Sequence, residues 1–321
     1  MERELDANIV EKIRKLEAKY AAMGQDLGSY LEGLLQADYL NYWHYINLDT
    51  LLTLQQPKTP YPDEMIFIGY HQITEIYFKL ILHELEQITG EEGLPAPIFL
   101  DKVKRCVRYF ENLAHSFEIM VEGMEPHQFM QFRMSLLPAS GFQSAQYRMI
   151  ELHSTDLPNL LPEENRANVA EEYSDEELIK SIYWQKGATE LESGKKTLTL
   201  KQFEQKYTYD FLKIIRNKKK SNLRQQYLKF YQNVPERLEI IDALRHFDVL
   251  VNVSWRLAHY KSAVRYLQAE DGDAPATGGT NWQKYLPPRF QKVRFFPELW
   301  NEEEIKDWGK SWVLKEIFHQ Q

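Results

Sequence analysis

The hydrophobic pattern is organised around residues 61–88, YPDEMIFIGYHQITEIYFKLILHELEQI. Pro60 and Pro62 break what precedes it, and Asp63 and Glu64 fall in a first helical turn, where negative charge complements the exposed amides. Gly69 is the only glycine in the run, so the spacing predicts one long helix. Its apolar positions, from Met65, Ile66, Phe67 and Ile68 through Ile73, Ile76 and Phe78 to Leu80, Ile81, Leu82 and Leu85, cover most of the circumference. A helix of that kind is expected to be central. His71 lies inside it, with Phe67, Ile68, Thr74, Glu75 and Phe78 at helical spacing. Taken alone, such an imidazole is more often a satisfied core side chain than a functional group.

The other periodic stretches are helical too. Residues 2–23 carry Leu5, Ile9, Ile13, Leu16 and Tyr20 on one stripe, and Gly24 ends them. Residues 39–54, YLNYWHYINLDTLLTL, are too aromatic for a solvated linker and need covering, by their own body or by another subunit. Residues 98–123 form a second long helix through Phe99, Val103, Val107, Phe110, Leu113, Phe117 and Met120, stopped at Glu125-Pro126. A further helix runs to about Leu136, followed by a turn at 138–141 and a new helix from Phe142. Arg133 lies amid Phe129, Phe132 and Leu136, where a guanidinium needs an anionic partner or a solvated exit. Residues 235–268 form a third long helix. His259 shares a face there with Asn252, Trp255, Arg256, Ser262, Ala263 and Tyr266, and the small residues suit either a flat ligand or a close helix crossing. The tail carries Trp300, Trp308 and Trp312 and is expected to be a packed helical C-terminus.

From about 157 to 235 the composition shifts to an acidic run at 171–177 and a basic run at 218–220, read as a small helical insertion with a solvated surface. No strand-like alternation and no internal repeat appear. The expected fold is all-α: a bundle of long helices with a helical insertion at 157–235, the body being 1–156 and 236–321.

Composition narrows the function. The chain has 321 residues, 43% hydrophobic and 13% aromatic, enough for a sizeable core. A net charge of −8 argues against nucleic acid as a partner. No uncharged apolar run reaches membrane-spanning length, and the N-terminus lacks a signal-peptide core. The lone Cys106 excludes internal disulfides and thiolate metal clusters and suits a reducing cytoplasm. CxxCH, HExxH, GxSxG and glycine-rich phosphate loops are all missing. What remains is two histidines, each midway along a long helix among aromatics, with no local carboxylate cluster to complete a zinc or non-haem iron site. Such a pair suits a haem pocket, one imidazole ligating iron and the other standing over the opposite face.

At this point the sequence resembles the tryptophan 2,3-dioxygenase family. The segments that carry the resemblance are YINLDTLLTLQQP (45–57), DEMIFIGYHQITEIYFKLILHEL (63–85), FRMSLLPASGFQSAQYRMIE (132–151), WRLAHYKSAVRYL (255–267), ATGGTNWQKYL (276–286) and FFPELW (295–300). The resemblance implies haem b with ferrous iron, O2 as co-substrate, and cleavage of the indole C2–C3 bond of L-tryptophan to N-formyl-L-kynurenine, the first step of the kynurenine pathway. It implies His259 as the axial haem ligand and His71 as the partner of the indole N–H. Arg133 would clamp the substrate carboxylate, Phe67 and Phe129 would line the pocket, and Thr277 with Gly278-Gly279 would close over the amino-acid end. Tyr42 and Tyr45 match aromatics that reach into a neighbouring subunit of a homotetramer. Two departures stand out. Phe129 replaces a tyrosine found in some members, and TGGTNW stands where TGGSSG is usual. The alternatives are an enzyme of the same superfamily acting on a substituted indole or another aromatic amino acid, and a haem-binding sensor without turnover; the sensor would have no need of Arg133 and Thr277. A helical scaffold with two core histidines is the plainest reading.

Overall fold

The computed structural model describes residues 5–37, 40–90, 92–136, 143–166, 173–187, 195–267, 288 and 292–309. The described elements are helical throughout, as expected. The chain divides into two compact units, 1–56 and 57–321.

The first unit holds α1 (Ala7–Ala22), α2 (Leu27–Leu35), α3 (Tyr42–Tyr45) and α4 (Leu48–Leu51). Asp6 caps α1 by accepting from the Asn8 amide, and Asp26 caps α2 by accepting from Gly28 and Ser29. Gly24 adopts φ +69°, the left-handed conformation that lets the chain leave α1. None of the residues described in these four helices is buried.

The second unit is built on α5 (Asp63–Ile88), which packs along α6 (Ala96–Ser116) and α9 (Ala145–Ser154). Phe78 is the hub, its ring meeting Phe110 at 6.1 Å, Tyr147 at 5.6 Å and Trp255 at 5.8 Å. Glu64 does more than face the helix dipole. It is buried, and its carboxylate accepts from the amides of Lys58 (2.9 Å) and Thr59 (2.7 Å) and from the Thr59 hydroxyl (2.6 Å), tying the entering chain to α5. α5 is central, as expected, but it is not covered all round: Met65, Ile73, Ile76 and Leu80 are exposed. The pattern identified apolar positions correctly, but the chain covers only part of the helix.

Two predicted helices are interrupted. The one expected over 98–123 ends at Ser116 and resumes as α7 (Glu118–Glu122). There the Ser116 hydroxyl donates to the Leu113 carbonyl at 3.0 Å, a local bond that competes with the helix ladder. The one expected over 235–268 is α15 (Arg237–Val249), a π-helical turn at Leu250–Ser254, and α16 (Trp255–Leu267). Between these, α8 (Pro126–Phe132) tightens into a 3₁₀ turn at Arg133–Leu136. The predicted turn at 138–141 lies outside the described residues.

The segment 157–235 contributes α10 (Glu163–Arg166), α11 (Asp175–Ile179), α12 (Tyr183–Gly187), α13 (Leu198–Lys218) and α14 (Leu223–Gln226). Its outer face is charged, with ion pairs Lys219–Asp175 and Arg216–Glu176. Its inner face is apolar: α13 lies along α9, and Leu200, Phe203, Phe211 and Ile215 join the same buried cluster as Phe78. In the tail, α17 (Glu302–Lys306) begins with a capping box of Asn301 and Glu304, and Trp300 meets Trp308 at 4.9 Å. Trp312 lies outside the described residues.

Candidate active site

His259 sits one turn into α16. Its Nδ1 lies 3.2 Å from the Trp255 carbonyl oxygen. A carbonyl can only accept, so Nδ1 carries the proton and Nε2 keeps its lone pair. Burial pushes the imidazole pKa down to about 4. The carbonyl bond opposes that shift, and positive charge on His71 and Arg148 adds to it. The ring packs against Phe117 (4.5 Å) and Trp255 (4.8 Å). The small face beside it is partly a helix crossing, since Ser262 donates to the Met120 carbonyl of α7 at 3.2 Å.

His71 on α5 has the same tautomer, Nδ1–H donating to the Phe67 carbonyl at 2.7 Å and leaving Nε2 as an acceptor. The side chain is exposed, yet desolvation lowers its pKa, with the Phe67 carbonyl and Glu75 opposing. A series of rings joins the two histidines: His71 to Tyr70 at 6.0 Å, Tyr70 to Phe117 at 5.6 Å, and Phe117 to His259 at 4.5 Å.

Phe67 lies over the His71 ring at 4.1 Å and continues to Phe132 (5.8 Å) and Phe129 (6.4 Å). Phe129 in turn meets Tyr266 of α16 at 4.7 Å. Arg133 follows Phe132 into the 3₁₀ turn; it is buried, desolvation lowers its pKa, and Nη1 meets the Met130 sulfur at 3.8 Å. The structure therefore gathers Phe67, His71 and Phe129, with Arg133 next to Phe132 in the chain. Tyr42 and Tyr45 lie on α3 of the other unit, both exposed. Thr277 and the Gly278-Gly279 pair lie outside the described residues.

His259 fits the demand of a haem, since a neutral imidazole with Nδ1–H engaged and Nε2 available is the form that ligates iron. Among the described residues no three His, Cys, Asp or Glu side chains gather to hold a bare metal ion. The sequence could not name the acceptor for Nδ1–H, because it is a backbone carbonyl.

A buried polar network beside this site also escaped the sequence reading. Tyr183 of α12 donates to Glu151 at 2.5 Å and accepts from Arg148 and Arg256, each at 2.7 Å. Arg148 pairs with Glu151 at 2.8 Å. Arg256 also donates to Asn252 at 2.9 Å, and Asn252 to Asp248 at 2.8 Å. Asp248 then accepts from the amides of Phe295 and Phe296 and from the Trp300 indole. The available signal was spacing: Arg148 and Glu151 lie three apart, and Asp248, Asn252 and Arg256 lie four apart, all on apolar helices.

The family model for tryptophan 2,3-dioxygenase matches residues 33–237. The chain is 31% identical over 273 residues to the tryptophan 2,3-dioxygenase of Ruegeria sp. (strain TM1040), covering 82% of this chain and 92% of that one. It is 31% identical over 283 residues to the enzyme of that name from Bacillus anthracis, covering 82% and 91%. To the one from Polaromonas naphthalenivorans (strain CJ2) it is 30% identical over 275 residues, covering 81% and 90%. A family model matching more than half of the chain and relatives about 31% identical over four fifths of it show that this chain belongs to the tryptophan 2,3-dioxygenase family.

Proposed function

We propose that the chain holds haem b through His259 and uses O2 to cleave the indole C2–C3 bond of L-tryptophan, giving N-formyl-L-kynurenine, the opening step of the kynurenine pathway. The observation that carries this reading is the placement of the His259 ring: its Nδ1 lies 3.2 Å from the Trp255 carbonyl, which leaves Nε2 as the nitrogen to ligate iron. Ferrous haem, when bound, supplies the binding and activation of dioxygen.

The residues of the chain position the substrate. His71, with Nδ1–H committed to Phe67, offers Nε2 as acceptor for the indole N–H. Its lowered pKa keeps that acceptor available at neutral pH. Phe67 and Phe129 wall the indole and exclude water. Arg133 pairs with the carboxylate, for which a guanidinium fork has matching bidentate geometry. Thr277 closes on the ammonium end. Residues 1–156 and 236–321 make the haem-binding body, with 157–235 inserted into it.

The working form is a homotetramer in which residues 39–50, including Tyr42 and Tyr45, complete a neighbour's site. The exposure of Tyr42, Trp43, Tyr45, Leu52 and Leu54, and of the apolar face on α5, supports it. A reducing cytoplasmic location suits the lone buried thiol, and no helix among the described residues is long and apolar enough to cross a membrane. The test is an absorption spectrum of the haem-reconstituted ferrous protein with and without L-tryptophan, followed by admission of O2. Formation of N-formyl-L-kynurenine without added reductant supports the reading. A protein with no Soret band after reconstitution, or one that binds haem without consuming tryptophan, overturns it.

A further inference from the structure

We propose that Tyr183, from the segment 157–235, is a positioning residue for the haem ligand, acting through Arg256 and the π-turn that precedes His259. This rests on the reading of His259 as axial ligand.

The π-turn Leu250–Ser254 stands between α15 and the first turn of α16. A π-turn places one extra residue in the helix, so its backbone bonds depart from the α ladder and the turn survives only where other groups support it. Two supports are visible. Tyr147 of α9 donates its hydroxyl to the Val251 carbonyl at 3.0 Å. A ladder of side chains, Asp248 to Asn252 to Arg256, bridges the turn from below to above. Asn252 and Asp248 have no exposed surface, so neither link exchanges with water.

The upper end of that ladder is anchored outside its own helix. Arg256 ends on the Tyr183 hydroxyl at 2.7 Å and reaches Glu151 at 3.4 Å. The Tyr183 hydroxyl is the junction, since it also accepts from Arg148 and donates to Glu151. The Arg256 guanidinium lies 4.5 Å from the centre of the Tyr183 ring, so face and hydroxyl hold the same cation. Arg256 precedes His259 by three residues in one continuous helix, so its anchorage sets both the azimuth of that helix and the placement of its imidazole. This gives 157–235 a role at a site to which its own sequence contributes no ligand.

The test uses the haem-loaded full chain and compares four proteins: wild type, Tyr183→Phe, Arg256→Lys and Tyr231→Phe. Tyr183→Phe removes only the junction hydroxyl. Arg256→Lys keeps the charge but loses the fork, and serves if Tyr183→Phe fails to fold. Tyr231→Phe is the control: it deletes a buried hydroxyl bonded to the Leu94 carbonyl at 2.8 Å, away from the ladder. The readouts are the iron–histidine stretching band of the ferrous protein and the rate of haem transfer to apomyoglobin. The expected result is a shifted band and haem loss about tenfold faster in Tyr183→Phe and Arg256→Lys, the low end of what outer partners of a metal ligand contribute. Tyr231→Phe should leave the band in place even if it unfolds more easily. An unmoved band and wild-type haem loss in either ladder variant overturn the proposal, as does an equal shift in Tyr231→Phe. His259→Ala separates the two readings: retention of the iron–histidine band there refutes the ligand assignment itself, whatever Tyr183 does.

Discussion

Replacing Asp248 should destabilise the fold far more than replacing a typical surface carboxylate. The residue is fully buried and accepts four hydrogen bonds, from Asn252 Nδ2 (2.8 Å), the Phe295 amide (2.9 Å), the Trp300 indole (3.0 Å) and the Phe296 amide (3.3 Å). It thereby joins the end of α15 to the buried Phe295-Phe296 strip and the tail. Asp248→Ala leaves all four donors facing a void. A donor left unsatisfied in the interior costs about 1–3 kcal/mol. The four share one cavity and relax together, so the sum is not additive, and about 3–5 kcal/mol is expected, the scale of breaking one side of a buried charged contact. Asp248→Asn keeps one oxygen, which serves Asn252 and Phe295 or else Phe296 and Trp300, and turns an NH2 toward the other pair. That should cost about 2 kcal/mol. Burial pushes the Asp248 pKa up against the pull of its donors, so the acceptors matter here more than the charge. Urea unfolding followed by circular dichroism measures both variants, with the m-value checked for constancy. A cost below about 1 kcal/mol for Ala, or equal costs for Asn and Ala, would refute the reasoning from acceptor count.

Four further outcomes are expected. His259→Ala should abolish stable haem binding while His71→Ala retains it, read from the Soret band after reconstitution; equal retention removes the assignment of the two faces. Arg133→Ala should erase most of the preference for L-tryptophan over tryptamine, and Arg133→Lys should restore it only in part. A charge-assisted pair worth about 1.5–3 kcal/mol corresponds to roughly ten- to a hundredfold in relative rate, so wild-type turnover of tryptamine at the tryptophan rate would sink the clamp. For Glu64, burial raises the pKa, but the hydroxyl and amide donors of Lys58 and Thr59 outweigh it and hold the carboxyl below its usual 4.5. Its stabilisation is therefore complete above pH 4.5 and lost as pH falls through the folded value; Glu64→Gln should flatten that part of the stability–pH curve, and an unchanged slope would contradict the assignment. Deleting residues 1–50 should yield a haem-retaining but inactive monomer by sedimentation; a fully active monomer is incompatible with subunit exchange.

How much of this was legible beforehand depends on the range over which each feature is determined. α5 could be read because its period and its two flanking prolines are local, and Gly24 marked the end of α1 because a left-handed residue is a chemical signature. His71 and His259 stood out as imidazoles on apolar helices, but the pairing of Nδ1 with a carbonyl four residues back follows only once the helix exists. Exposure on α5 could not be read: Ile73, Ile76 and Leu80 are as apolar as Ile81, and composition does not say which of them another element will cover. The buried network was hidden for the same reason. Arg148, Glu151, Tyr183 and Arg256 come from three distant segments, and each alone resembles an ordinary surface residue.

The π-turn is the clearest limit. Nothing in LVNVS marks it, with no glycine, no proline and no break in the apolar pattern. Its backbone gains nothing over a continuous α-helix, so its free energy must come from partners outside the turn. Tyr147 lies 104 residues from its partner Val251 in sequence, and Tyr183 lies 73 from Arg256. A feature stabilised at such range is specified by the folded interior rather than by local propensity. That placement has a chemical consequence. A strictly local determinant of α16 would let His259 follow the helix as it fluctuates, whereas anchorage in α9 and α12 ties the imidazole to the body of the protein. The orientation of the His259 imidazole then depends on residues that carry no motif for it, and loss of the Tyr183 hydroxyl, which leaves the four Asp248 hydrogen bonds in place, should be felt in that orientation more than in stability.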